Sequence, residues 1–575
     1  MGSPGNKTHK TGHTPKWYPL IVFGMFSMLI TTLLGCGSHA GSASLGESIG
    51  AMPPPSLAMS AAAPSAPAGA SKAMESMPVD YTAQVAPDST LGSQFEFNTE
   101  EYDRIVDNPF LNAKENPVST FSIDVDTASY ANIRRYLMEN RAMPPKDAVR
   151  IEEMVNYFAY DYPDAIGTQP VAITATMATA PWNADHWLLR VALKAKEMET
   201  EALPPSNLVF LLDTSGSMAD NNKLPLLKES LQILVGNLRP QDMVSIVAYA
   251  GSTGLILEAT PGSQKETIIN AFRELEASGS TAGGEGIELA YKVAKANFIK
   301  GGNNRVILCT DGDFNVGVSS TGELERMVED KRQDNIYLTV LGLGMGNYKD
   351  SRMETLADKG NGNYAYIDNL LEGKKVLGKE IWGNLFAVAK DVKIQIEYNP
   401  TVVRSYRLIG YENRMLSRED FNDDTKDAGE MGAGQTVTAF YEIIPQSAPA
   451  EDTGGTAVAV DPLVFQQSTV IPSDNVLLLK LRYKTPSEGV EKSELITSLV
   501  DQKALITDFA TCDADFRFAT AVVEFGMLLR ESPYRGDSSW QTAMERARYS
   551  KGADLEGYRS EFVRMVELAQ LLALQ

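Results

Sequence analysis

The apolar and polar positions of residues 201–391 alternate between the pattern of a buried strand and that of an amphipathic helix. Four short segments are almost continuously apolar: 207–212, 243–249, 305–311 and 336–342. Such runs are typical of strands that helices cover on both faces. Segments with helical spacing follow them, the last at 372–389. This alternation predicts an α/β domain with a doubly wound, mostly parallel sheet of the Rossmann-like kind.

The regions on either side of this domain show a period of two, which is typical of half-buried strands. Apolar residues alternate with polar ones in 169–200 and again in 392–500. Because two strands alone are marginally stable in water, we expect 169–200 and 392–500 to form one antiparallel β domain. The α/β domain of 201–391 would then be inserted between its strands.

The remaining parts of the folded chain show helical signals. Residues 95–168 predict an N-terminal α/β segment, in which Asp126 or Thr127 caps one helix and Asp147 caps a second. Residues 501–575 predict a C-terminal helical region. One of its apolar stripes is expected to begin at Leu555.

The first 94 residues have the composition of a targeting segment followed by a linker. Lysines precede the apolar run 20–30, which is too short to favour a membrane-spanning helix. The sequence Leu-Leu-Gly-Cys36 follows and resembles a bacterial lipobox, which implies that 1–36 is a lipoprotein signal peptide and that Cys36 is lipidated. An ordinary signal peptide or a membrane anchor that contains a cysteine are the alternatives. Residues 37–94 are rich in Ala, Pro and Ser and predict a disordered tether.

The residue after the lipobox bears on localisation. Gly37, not aspartate, follows Cys36. The resemblance therefore implies a lipid-anchored protein of the cell envelope, with the outer membrane favoured if the cell has one.

Composition excludes several classes of function. The formal net charge of −22 argues against a nucleic-acid partner, which requires a basic face. Of the four histidines, only His186 lies within a segment predicted to fold, which argues against histidine-based triads and zinc sites. No Gly-Lys-Ser/Thr phosphate loop is present, so we expect no nucleotide.

Three segments of the α/β domain place small polar side chains where buried strands end or helices begin. Asp213-Thr-Ser215-Gly-Ser217 follows the first strand, Thr281 lies in a glycine-rich loop, and Asp311 ends a later strand. Open α/β sheets bind their ligands at the carboxyl ends of the strands. Carboxylates and hydroxyls are hard oxygen donors, which suit Mg²⁺ or Mn²⁺. The alternative for the first segment alone is a serine-rich turn that caps the next helix.

The order and spacing of these five residues resemble the metal-ion-dependent adhesion site of von Willebrand factor type A domains. The flanks, including residues 120–130 and 147–158, resemble a family of bacterial lipoproteins with such a domain, an N-terminal segment and an uncharacterised C-terminal domain. The resemblance implies direct ion binding by Ser215, Ser217 and Thr281. It implies that Asp213 and Asp311 act directly or through water, and that an exposed Asp or Glu of a protein partner fills the open coordination position.

Three functions are compatible with this site. The first is a non-catalytic, membrane-tethered module that binds a protein through the ion. The second is an envelope assembly or maintenance factor that works with other envelope or ATPase components. The third, which the scarcity of candidate bases disfavours, is a metal-assisted hydrolase, with Glu285 as the nominated base.

Overall fold

A computed structural model describes residues 100–123, 126–279, 283–312, 321–345, 348–449, 471, 473–486 and 492–574. The α-helices are α1 Ala128–Arg134, α2 Ile151–Asn156, α3 Leu224–Asn237, α4 Lys265–Arg273, α5 Gly283–Ala296, α6 Thr321–Gln333, α7 Asp350–Lys359, α8 Leu370–Lys374, α9 Ile381–Leu385, α10 Ala514–Arg530, α11 Trp540–Ser550 and α12 Tyr558–Leu572. The strands are β1 Leu111–Asn112, β2 Val118–Ser122, β3 Val171–Ala180, β4 Asn183–Ala195, β5 Ser206–Asp213, β6 Met243–Tyr249, β7 Thr253–Pro261, β8 Asn303–Thr310, β9 Ile336–Leu343, β10 Tyr364–Ile367, β11 Ala387–Tyr398, β12 Val403–Ile409, β13 Met415–Leu416, β14 Gly429–Gly432, β15 Thr436–Pro445, β16 Asn475–Lys484, β17 Glu494–Asp501 and β18 Leu505–Ile506.

One six-stranded sheet has the order β10-β9-β8-β5-β6-β7. All neighbouring pairs are parallel except β6 and β7, which are antiparallel. The central strand β5 is buried along its whole length. Alternate side chains of β5 point to opposite faces of the sheet: Leu208, Phe210 and Leu212 pack with α3, α4 and α9, while Val209 and Leu211 pack with α1, α5, α6 and α7. The predicted doubly wound α/β fold is confirmed.

Two further sheets lie outside this fold. Their orders are β1-β12-β15-β4-β3-β18 and β13-β2-β11-β16-β17, with β14 paired to β11. Strands from before and after the α/β fold share a sheet, as in the antiparallel pairing of Val191 in β4 with Ala439 in β15. A common apolar core joins the two sheets, and α2, α10, α11 and α12 cover the outer face of the first. The sequence did not indicate that β1 and β2 of the N-terminal segment would join these sheets.

The helix predicted at 372–389 is wrong in its continuity and its end. The helical path consists of α8, a π-helical turn at Lys375–Lys379 and α9, and it stops at Leu385. The alanine-rich residues after it form β11, because Ala389 pairs with Met431 of β14. Glycine at position 432 allows β14 to lie close to α9, since a Cβ on Gly432 would lie 1.9 Å from the carbonyl oxygen of Gly383. Long-range strand pairing here overrides local helix propensity.

Three smaller expectations also need correction. Thr127 occupies the N-cap of α1 without a side-chain hydrogen bond, and Asp126 instead accepts a hydrogen bond from the Tyr364 amide at 2.8 Å. The N-cap of α2 is Arg150, while Asp147 accepts a hydrogen bond from the Ile105 amide at 2.9 Å. Leu555 precedes α12 and is 96% exposed, so it is not part of the apolar stripe.

None of the helices within the described ranges is both long enough and apolar enough to cross a bilayer. The apolar run 20–30, Cys36 and the predicted tether 37–94 lie outside those ranges.

A buried ionic cluster ties α8 to α1 and α12. Arg134 at the end of α1 donates through Nε to Asp368 at 2.7 Å and through Nη2 to Glu372 at 2.7 Å. Its Nη1 donates to Glu561 of α12 at 2.9 Å. The arginine side chain is 3% exposed, and those of Asp368 and Glu372 are 1% exposed. The segment after β10 is therefore held by charge pairs to α1, which precedes the α/β fold, and to α12, which follows it.

A second buried cluster surrounds a glutamate of α2. Glu153 in α2 accepts a hydrogen bond from the Ser129 amide at 2.8 Å and lies beside Arg150, whose Nη1 is 3.3 Å from its Oε1. Burial raises the pKa of Glu153 to about 8; the positive charge of Arg150 opposes this rise and the negative charge of Glu354 adds to it. Between the ordinary glutamate pKa and this value, the folded state binds more protons than the unfolded state at this position.

We therefore expect the contribution of Glu153 to the free energy of unfolding to fall as pH rises from about 4.5 to about 8. The fall should be at most about 1.4 kcal/mol per pH unit. Urea denaturation of the wild type and of Glu153→Gln at several pH values measures this contribution as their difference. Glutamine keeps the shape of the protonated acid and does not titrate. A difference that stays constant across this range would contradict the assignment.

Candidate metal site

The register of the central sheet brings two of the predicted site segments together. In the parallel pair of β5 and β8, Leu212 lies opposite Cys309. The next residues, Asp213 and Thr310, are in contact, since the Thr310 hydroxyl donates to Asp213 Oδ2 at 3.2 Å. Asp311 directly follows β8 and is 1% exposed. Both predicted carboxylates thus lie at the carboxyl ends of neighbouring strands.

Asp213 is fully buried, and hydrogen bonds fix its orientation. Oδ1 accepts from the Ser215 amide at 2.9 Å, and Oδ2 accepts from the Tyr249 hydroxyl at 3.0 Å in addition to that of Thr310. Burial raises the pKa of the Asp213 carboxyl above its usual range, while the hydrogen bonds from Ser215 lower it. A carboxylate with both oxygens engaged in this way suits a role that orients the neighbouring loop.

The two serines of the first segment face each other. Ser215 Oγ and Ser217 Oγ are 3.0 Å apart, with Ser215 buried and Ser217 exposed. The loop is held in place because the Gly216 amide donates to the carbonyl oxygen of Gly279 at 3.0 Å. Gly279 has a φ of +81°, and a side chain on it would lie 3.0 Å from the amide nitrogen of Gly251. The hydroxyl pair therefore lies on a fixed loop with one member open to solvent.

Thr281, the fifth predicted ligand, lies outside the described residues, so its place in the site stays a prediction. The described chain approaches it from both sides. Gly279 is tied to the serine loop, and α5 begins at Gly283.

Lys223 is a member of the site that sequence reasoning missed. Its Nζ donates to Asp311 Oδ2 at 3.0 Å, and the lysine and aspartate side chains are 7% and 1% exposed. Lys223 is the N-cap residue of α3. A lysine downstream of Ser217 is no signal by itself, because only the fold carries its ammonium group to the end of β8.

Sequence and structure comparisons place the chain in a family. The sequence model of the von Willebrand factor type A domain family matches residues 207–375. A family model described as von Willebrand factor matches 96–190, and one described as "Uncharacterized protein YfbK, C-terminal" matches 383–572. The uncharacterized protein YfbK of Escherichia coli K12 is 44% identical over 482 residues, which cover 82% of this chain and 81% of the relative. The chain belongs to the YfbK family. Its central domain is of a type that serves in protein–protein interaction.

Other proteins similar to this member of the YfbK family match a smaller part of the chain or share a lower sequence identity with it. Human inter-alpha-trypsin inhibitor heavy chain H3 is 28% identical over 167 residues, which cover 28% of this chain and 18% of that protein. A solved von Willebrand factor type A structure from Catenulispora acidiphila shares 13% identity, with a TM-score of 0.40, and the match covers 69% of this chain and 89% of that one.

The described donors fit a hard divalent cation in their chemistry. They are two hydroxyls and two buried carboxylates, all oxygen. Asp311 already pairs with a cationic group, the Lys223 ammonium, which shows that this position accommodates positive charge. In the described part of the chain, no group of three or more His, Cys, Asp or Glu side chains is arranged to hold a metal. Glu285, the nominated base, is exposed in the first turn of α5.

Proposed function

We propose that this protein is a non-catalytic module of the cell envelope that captures a protein partner through a divalent ion. The partner's exposed aspartate or glutamate would complete the coordination of Mg²⁺ or Mn²⁺ at Ser215, Ser217 and Thr281. The observation that carries the proposal is the Ser215–Ser217 hydroxyl pair on a fixed loop, beside two buried carboxylates at the edge of the sheet.

The residues of the chain divide the work of such a site. Ser215 and Ser217 offer neutral oxygens, which would leave a bound Mg²⁺ or Mn²⁺ electrophilic toward a carboxylate from outside. Asp213 holds the serine loop through the Ser215 amide, and Tyr249 fixes Asp213 in turn. Exposure of Ser217 leaves one side of the site accessible to a partner. These roles require no proton transfer, in keeping with binding and not catalysis.

The proposal also includes the predicted anchor. A lipid on Cys36 would hold the protein at a membrane, with the outer membrane favoured, and residues 37–94 would let the binding site reach partners at a distance from the bilayer.

Affinity capture from solubilised membranes tests the binding function. We expect the full chain to retain a partner in Mg²⁺ and to lose it in EDTA. Ser217→Ala is expected to weaken this capture about tenfold, because it removes one exposed ligand oxygen. Ser263→Ala is the matched control. This exposed serine follows β7 near the amino end of β6, and the site lies at the carboxyl ends of the parallel strands. Capture that survives in EDTA and in Ser217→Ala would overturn the proposal.

A further inference from the structure

Resting on the proposed metal-dependent function, we propose that Lys223 is a built-in competitor of the divalent ion. Its ammonium group neutralises Asp311 when no ion is bound, and ion binding displaces it toward Asp220. The lysine therefore sets how tightly the free protein holds its ion.

The pairing of Lys223 with Asp311 has the features of a built contact. Both side chains are almost fully buried, and Nζ lies 3.0 Å from Oδ2. Gly344 makes room for the lysine stem, because a Cβ on this residue would lie 2.3 Å from Lys223 Cε and 2.7 Å from its Cγ. With a φ of +73°, Gly344 has a backbone conformation that side-chain-bearing residues rarely adopt.

A buried carboxylate needs a compensating charge. In the structure the Lys223 ammonium supplies it for Asp311. A divalent ion beside Asp311 would supply it as well, but the ion and the ammonium repel each other at close range in a partly buried site. Only one of the two can therefore occupy the favourable position beside this carboxylate.

A second acceptor lies within reach of the displaced ammonium. Asp220 Oδ2 is 4.0 Å from Lys223 Nζ, and the Asp220 side chain is 73% exposed. A rotation of the lysine side chain would exchange a buried partner for a solvated one. The ion then takes over Asp311, and the ammonium keeps a negatively charged neighbour.

This competition favours joint binding of the ion and the partner. The lysine lowers the affinity of the free protein for the ion, whereas a partner carboxylate adds negative charge and restores that affinity. By reciprocity, the ion strengthens partner binding by the same factor. The chain thus retains a stable, neutralised site in the absence of its partner.

The test is Mn²⁺ binding by the full chain in detergent, measured by electron paramagnetic resonance without any partner. Lys223→Met keeps the length of the stem and removes the charge, and we expect it to bind Mn²⁺ about tenfold more tightly than the wild type. Lys228→Met is the matched control on the same helix, because its Nζ donates to the Leu275 carbonyl and not to a carboxylate. Its Mn²⁺ affinity should equal that of the wild type.

Thermal unfolding gives an independent readout. Without an ion, Lys223→Met should melt below the wild type, since the buried Asp311 carboxylate loses the positive charge of the Lys223 ammonium. Mg²⁺ should then raise the melting temperature of this variant more than that of the wild type. Equal or weaker Mn²⁺ binding by Lys223→Met would overturn the competition and leave the proposed function standing. Absence of Mn²⁺ binding in the wild type and in the variant would overturn both.

Asp220→Asn keeps the proposal testable if Lys223→Met fails to fold, because Asp220 is exposed. We expect this variant to bind Mn²⁺ about two- to fivefold more weakly than the wild type, because an exposed charge acts only weakly on its neighbours. The loss should shrink in the Lys223→Met background wherever that double variant folds. Unchanged or tighter binding by Asp220→Asn would contradict the displacement of the lysine toward Asp220.

Discussion

Replacing Arg134 with methionine is expected to lower the free energy of unfolding by about 3–5 kcal/mol. The guanidinium group is buried and pairs with Asp368, Glu372 and Glu561. Removing it leaves at least two buried carboxylates without their cation, and the cost of an uncompensated buried charge exceeds that of a lost apolar contact. The loss of stability should appear first as local opening of α8 and α12, because these pairs join α8 to α1 and α12.

Urea denaturation measures the loss of stability, and hydrogen exchange locates it. Amides of α8 and α12 should exchange faster in Arg134→Met, whereas those of β5 should change least. Lys295→Met is the control, because its pair with Asp334 is exposed on both sides and should contribute at most about 1 kcal/mol. If Arg134→Met costs no more than this control, the cluster does not hold α8 to α1 and α12.

Replacing Asp311 with alanine is expected to weaken Mg²⁺-dependent partner capture about 100-fold. Two effects add. The variant removes one of the two carboxylates at the carboxyl ends of β5 and β8, and it takes the buried carboxylate away from the Lys223 ammonium, which keeps the exposed Asp220 nearby. That ammonium would then repel any ion held by the serines. This predicted loss is larger than that expected for Ser217→Ala, which removes a neutral ligand.

Capture from solubilised membranes, titrated with Mg²⁺, measures this effect. Asp334→Ala is the control, because this exposed aspartate precedes the amino end of β9, whereas the site lies at the carboxyl ends of the strands. The double variant Asp311→Ala/Lys223→Met separates the two causes. It should recover part of the lost affinity if the Lys223 ammonium, no longer neutralised by Asp311, contributes to the defect. Capture by Asp311→Ala at the wild-type level would mean that this carboxylate has no part in binding.

The sequence predicted the α/β fold well because its signal is local. The continuous apolar run of 207–212 corresponds to β5, which spans Ser206–Asp213, and a strand buried on both faces needs no knowledge of its partners to be recognised. Asp213, Ser215 and Ser217 lie within a few residues of each other, so their proximity followed from the motif. Asp311 required the further assumption that parallel strands end at one edge, which the pairing of β5 with β8 confirms.

The missed features depend on distant parts of the chain. The helix predicted to 389 ends at Leu385, because β14 lies beside the following residues and only the fold brings it there. Arg134 meets Asp368, 234 residues away, and its sequence context carries no trace of that pairing. The bond from Lys223 to Asp311 spans 88 residues. Such pairs depend on tertiary geometry, which periodicity does not encode.

The position of a bound ion tests the central claim most directly. Crystals of the full chain grown with Mn²⁺ would reveal the ion through its anomalous scattering. We predict one strong anomalous peak per chain at the carboxyl edge of the central sheet, at about 2.0–2.2 Å from the Ser215 and Ser217 hydroxyl oxygens. With the ion bound, the Lys223 ammonium should have left Asp311. An anomalous map without a peak at the two serines, at a Mn²⁺ concentration that supports partner capture, would contradict the account.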